Sequence, residues 1–156
     1  MDADRFFSRL NPLMLAILRS PFHWVLSSGL MALTVTGRRS GRRYTIPVGY
    51  QKQGNRVTVL VSRAARKQWW RNYQLPAPVA CRIRGRRLRG EGHVLPGASE
   101  RFREAVDETF QRMPRLGGQF GIEYDRLHGL TDSQWQCVAE TGAVVEIRLA
   151  AEAQAG

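Results

Sequence analysis

Apolar positions in this chain repeat with two periods, and the period changes near residue 30. Across residues 5–19, Phe6, Leu10, Leu13, Met14, Ile17 and Leu18 recur at helical spacing, with Pro12 bending or restarting the helix. Ser20 and Pro21 read as an N-cap and first helical position, and Gly29 closes the short helix that follows. From residue 31 the period becomes two. Residues 31–36, 44–51, 56–62, 78–84, 86–95 and 143–149 read as strands, rich in Val, Ile, Thr and aromatics. Turns at 38–42, 53–55 and Gly85 separate them, and Pro47 marks an edge or a ligand-facing position. Residues 66–73 read as a short helix. Ser99 caps an amphipathic helix to residue 112, and Thr131 opens another that Gly142 ends. Residues 113–130 read as irregular.

This order predicts one α+β domain over residues 1–156, with helices at 1–28. About six mostly antiparallel strands form a small β-barrel with peripheral helices.

Charge then changes the picture. The 156 residues carry 24 basic and 13 acidic side chains, a net charge of +11. From Arg5 to Gly90 there are 18 basic residues and no acidic one, whereas residues 91–156 hold 11 acidic and 6 basic. One half therefore makes a positive field, which points to an anionic ligand, a nucleic acid or an anionic membrane surface. No DNA- or RNA-binding motif or groove-sized basic helix is present, so nucleic acid is the weakest of the three. The apolar run at 13–18 is too short to span a bilayer. Residues 1–28 either rest on an anionic membrane or pack across the barrel. Two cysteines without a close pairing motif fit a reducing, cytoplasmic setting.

The charge concentrates at residues 36–43, Thr-Gly-Arg-Arg-Ser-Gly-Arg-Arg. Guanidinium groups make forked contacts to phosphate and carboxylate. The glycine spacing is too short for a P-loop and the turn leads into a strand, so no helix N-terminus binds here. Tyr44, Tyr50, Trp69, Trp70 and Tyr73 could stack a flat heterocycle, or they could simply be core and lid residues. His23, His93 and His128 lack ligand spacing, so no metal site is expected. Ser40 has no neighbouring base. Binding groups without catalysts fit chemistry done by a cofactor.

Leu33-Thr34-Val35-Thr36-Gly37-Arg38-Arg39-Ser40-Gly41, then Pro47, residues 57–62, Trp69-Trp70-Arg71-Asn72, Pro78-Val79 and Arg84-Gly85-Arg86, resemble the deazaflavin-dependent nitroreductase family. The resemblance spans roughly residues 10–95. It implies a split β-barrel and coenzyme F-420, a deazaflavin with a phosphodiester and an oligoglutamate tail; FMN is the second candidate. It implies that Arg38, Arg39 and Ser40 meet the phosphate and tail. Tyr44, Thr45, Ile46, Pro47, Val48 and Gly49 would line the ring, and Leu60, Val61, Ser62 and Arg63 the opposite wall. Trp69 and Asn72 would close the pocket, with Lys67 nearby, and Trp70, also counted among the cofactor-binding residues, would shape the acceptor site with Tyr50 and the N-terminal helices. The implied activity passes a hydride to a small activated acceptor: a quinone, enone or nitro compound. Tyr50 is a candidate proton donor. The rival reading is a non-catalytic barrel holding FMN, haem or a fatty acid. A barrel with open edges also suggests a homodimer. The chain departs from the family at residues 62–68, which are shorter and lack its glycine-rich stretch, and at Tyr44, where many members carry arginine.

Overall fold

The computed structural model describes residues 29–97 and 99–150. The helices expected at residues 1–28 lie outside the described residues.

Seven strands form one antiparallel sheet: β1 (Leu30–Thr36), β2 (Arg43–Gly49), β3 (Gln51–Gln53), β4 (Arg56–Val61), β5 (Ala77–Ile83), β6 (Arg86–Val94) and β7 (Ala143–Leu149). Their order across the sheet is β2-β1-β5-β6-β7-β4-β3. The α+β barrel expectation holds, with one correction to the strand count. The expected strand 44–51 is two strands parted at Tyr50. β2 and β3 are consecutive in the chain, yet they occupy opposite edges of the sheet. The sheet must therefore curl until its edges meet at Tyr50, whose N–H is held by the Gly29 carbonyl at 3.2 Å. Pro47 sits on the β2 edge strand, where its missing N–H disturbs little.

Period two decides what lies inside. Met31, Leu33 and Val35 of β1, Val57, Val59 and Val61 of β4, Val79, Cys81 and Ile83 of β5, and Val145 and Ile147 of β7 share one buried cluster. Gly90 and Gly92 interrupt β6 because neighbours come too close for a side chain. A Cβ on Gly90 would stand 2.2 Å from the Arg148 carbonyl oxygen, and one on Gly92 would stand 2.9 Å from the Tyr73 ring.

Helices α1 (Glu100–Arg112) and α2 (Asp132–Thr141) cover the outer face of β4 and β7. The Ser99 hydroxyl accepts the Phe102 N–H, and Thr131 and Gln134 form a reciprocal capping box. Phe102, Val106 and Phe110 pack a second core with Val138, Val144 and Leu60. Gly142 ends α2 as expected, but in extended backbone (φ −111°). It is needed there because a Cβ would stand 3.0 Å from Phe120. The helix expected at 66–73 is instead two short 3₁₀ pieces, Ala64–Arg66 and Trp69–Tyr73, and a third, Pro114–Phe120, lies in the stretch expected to be irregular.

A charged knot joins the two layers. Glu146 on the outer face of β7 is buried, with Arg101 Nε at 3.3 Å, His93 Nε2 at 3.5 Å and Arg56 Nε at 3.6 Å. Glu108 of α1 stands 3.6 Å from Arg56 and 3.7 Å from Arg101, and accepts from Gln51 Nε2 at 3.2 Å.

Candidate functional site

Antiparallel register sorts the loops to two ends of the barrel. The β1–β2 turn, the end of β4 and the starts of β5 and β7 share one end. The β3–β4 and β5–β6 turns and the end of β7 share the other.

The basic turn stands at the first end and is built by its glycines. Gly37 N–H donates to the Arg42 carbonyl at 2.8 Å, and Gly41, at φ +69°, donates back to Gly37 at 2.9 Å. Ser40 Oγ accepts the Arg42 N–H at 3.2 Å. A Cβ on Gly37 would stand 2.7 Å from that hydroxyl oxygen, so a larger residue there would make the Ser40 side chain shift. Arg38, Arg39, Arg42 and Arg43 are exposed, and among the described residues none forms an ion pair. Their charge projects into solvent.

Asn72 clasps this turn to the Trp69–Tyr73 piece. Its side-chain oxygen accepts the Arg38 N–H at 2.7 Å, and its amide donates to the Trp69 carbonyl at 2.9 Å and the Tyr44 hydroxyl at 3.4 Å. The sequence motifs 37–41 and 69–72, some thirty residues apart, therefore form one surface, with Arg38, Tyr44, Trp69 and Asn72 in contact. Trp70 Nε1 donates to the Ala64 carbonyl at 2.8 Å, and the Arg71 guanidinium lies 5.6 Å from the centre of its ring. The Trp69 and Tyr73 rings meet edge to face at 6.4 Å. Tyr73 is buried with no partner for its hydroxyl, and burial raises its pKa.

Alternation divides the expected ring-lining strand. Ile46 and Val48 pack toward the barrel interior, while Thr45, Pro47 and Gly49 face outward. Thr45 and Thr34 hydroxyls join on that outer face at 2.9 Å. The expected wall at 60–63 does not form one surface. Leu60 packs with the helices and Val61 with the barrel interior. Ser62 donates to Gln119 at 2.8 Å and receives Lys67 Nζ at 3.4 Å. Arg63 is exposed in left-handed backbone, φ 49°.

Tyr50 is not brought to this surface. Its side chain is buried inside the barrel, where burial raises its pKa against the opposing pull of a hydrogen bond with Arg84. Arg84 and Tyr50 line a cavity of about 640 Å³ at the other end, together with Lys52, Arg86 and Arg112. Sequence reasoning missed these four cations as a group, because Lys52 and Arg112 come from segments far from the Arg84-Gly85-Arg86 turn. Arg84 is itself out of place. It and Gly85 both have positive φ (50° and 79°), the pattern of a hairpin turn that favours Asn-Gly, and holding a side chain there costs about 1 kcal/mol.

Burial pushes the Cys81 thiol up to about 11. No cluster of three or more metal-ligating side chains occurs among the described residues, and no described helix is long and apolar enough to cross a membrane.

A family model, F420H(2)-dependent quinone reductase, matches residues 24–113. No curated protein matches the sequence significantly. Among solved structures, an F420-H2 dependent reductase (FDR-A) superposes with TM-score 0.54 at 13% identity, covering 77% of this chain and 94% of that one. A chain described as a domain-swapped dimer gives 0.54 at 14%, covering 83% and 100%. HutZ, the heme storage protein from Vibrio cholerae, gives 0.50 at 11%, covering 85% and 91%. At these identities the likeness carries the fold alone, and that fold is the split β-barrel.

Proposed function

We propose a function from the premise that this chain belongs to the F420H(2)-dependent quinone reductase family. The protein is an oxidoreductase that holds coenzyme F-420 on the clasped surface of the basic turn, the β2 edge and the Trp69–Tyr73 piece. It passes reducing equivalents to a small activated acceptor: a quinone, enone or nitro compound. The observation that carries this reading is the Asn72 clasp, which fixes exposed, unpaired guanidiniums beside an edge strand and two tryptophans.

The donor set fits the ligand. Arg38, Arg39 and Ser40 suit a phosphodiester and a carboxylate-rich tail, since each guanidinium offers a fork of donors and no acid competes. Thr45, Pro47 and Gly49 give the outer face of β2 little bulk, so a flat ring can lie close, while Ile46 and Val48 stiffen that strand from behind. Trp69 and Asn72 border the ring, and Lys67 and Arg63 add cations at the same end. Tyr44 stands at the rim, 39% exposed. When bound, the reduced deazaflavin supplies the hydride. The protein binds, orients and excludes water. With no carboxylate in the described basic half and Tyr50 inside the barrel, the balancing proton is assigned to solvent. A cytoplasmic setting follows from this reading, with a homodimer as the assembly to examine by light scattering.

Titration of the purified protein with coenzyme F-420, followed by ring fluorescence, tests the proposal. Binding tighter than about 100 μM is expected; weaker binding would sink it. Tight FMN binding in its place would favour the non-catalytic alternative.

A further inference from the structure

The cavity at the opposite end of the barrel has a chemistry of its own. Its floor is apolar: Ile83, Leu88, Leu149 and Met113, with the ring of Tyr50. Its mouth carries Lys52 from β3, Arg84 from the β5–β6 turn, Arg86 from the start of β6 and Arg112 from the end of α1. All four are exposed, and no acidic side chain is among the described residues lining it. A volume of about 640 Å³ is in the range of pockets that enclose a small organic molecule.

Two local details show that this mouth is built. Arg84 stands in a turn position that glycine or asparagine would fill with less strain, and there it hydrogen-bonds Tyr50 at the edge of the floor. Arg112 is anchored by donating to the Lys52 carbonyl at 3.3 Å, which draws the end of α1 to the rim. Cations over an apolar floor suit a ligand whose body is apolar and whose head is anionic. A polar polyanion would leave the floor unused, and a neutral apolar ligand would leave the rim unused.

We propose that this end of the barrel is a second binding site, for an amphiphilic organic anion. The apolar body lies on Ile83, Leu88, Leu149 and Met113, and a carboxylate head meets Arg84 and Arg86. The site is independent of the surface around Arg38, so it stands or falls apart from the proposed reductase function.

The test is calorimetric titration of the full chain with dodecanoate, acetate and dodecyltrimethylammonium. Dodecanoate should bind with a saturable, one-to-one isotherm; the other two should bind at least tenfold more weakly. Arg84→Gln with Arg86→Gln should weaken dodecanoate at least tenfold, since charge-assisted bonds are lost. The paired lysine variant should keep most of the affinity, and coenzyme F-420 binding should be unchanged in both. Circular dichroism checks that each variant is folded. Equal binding of the cationic surfactant overturns the anion requirement, and equal binding of acetate overturns the apolar one. No saturable dodecanoate binding overturns the site. Loss of dodecanoate binding in Arg38→Ala with Arg39→Ala, but not in the rim variants, would place the ligand at the other end and also overturn it.

Discussion

The arginines of this protein meet two fates. Those at 38–43 point into solvent at one end of the barrel, without an acidic partner among the described residues. Arg56 and Arg101 are half-buried against Glu146 and Glu108, between the barrel and its helices. The side chain is the same; what differs is whether the chain supplies its own anion. Where it does, the guanidinium knits two layers together. Where it does not, an anion must come from outside, and the field stays open to receive it.

Substitution should separate the two fates. The largest effect is expected at Glu146, because removing one partner of a buried pair leaves the others uncompensated. Glu146→Ala should lower unfolding stability by about 3 kcal/mol in urea denaturation, with coenzyme F-420 affinity retained under native conditions. A loss below about 1 kcal/mol would mean that the knot is ornamental. Arg38→Ala with Arg39→Ala should do the reverse. Its stability should stay within about 0.5 kcal/mol of the parent while cofactor affinity falls ten- to a hundredfold. Unchanged affinity would show that the exposed turn is not the binding surface. Asn72→Ala should blur the distinction, costing about 1 kcal/mol of stability and several-fold in affinity, because the clasp serves both.

The smallest effect concerns a pair outside both groups. A hydrogen bond with His128, then one from the Leu127 N–H, holds the Asp125 carboxyl below the usual carboxylate range. A depressed folded pKa contributes stability above the unfolded value, and that contribution is lost as pH falls through the folded one. Carboxyl NMR titration should show Asp125 titrating below pH 3.8, and His128→Ala should return it toward that value.

Much of the barrel was legible because its physics is local. Alternation in β5 announces a strand with one buried face, the apolar runs of β4 and β7 suit strands buried on both faces, and Ser99 and Thr131 announce helix starts by their side-chain oxygens. The break at Tyr50 was not legible. Nothing in Gly49-Tyr50-Gln51 differs from a continuous strand, since edge assignment depends on five strands that come later or elsewhere. The binding surface was half legible. Turn 37–41 and motif 69–72 are visible separately, but the Arg38–Asn72 bond that unites them is a tertiary fact. The wall expected at 60–63 failed as a surface because consecutive strand residues face opposite sides, so Leu60 and Val61 entered different cores. The cationic mouth was invisible because only tertiary structure brings Lys52 and Arg112 to the Arg84-Gly85-Arg86 turn.

The seam at Tyr50 also sets a folding order. Hairpins β1–β2, β3–β4 and β5–β6 are local and can form within microseconds. The strands on either side of Tyr50 cannot both take their places until β5, β6 and β7 lie between them, and β7 is the last of the described strands. Loop closure over most of the chain must precede the final pairing, which puts folding on a timescale of roughly milliseconds to seconds. In synthesis the basic turn and its edge strand leave the ribosome before β7 and wait for the strand that closes the sheet beneath them.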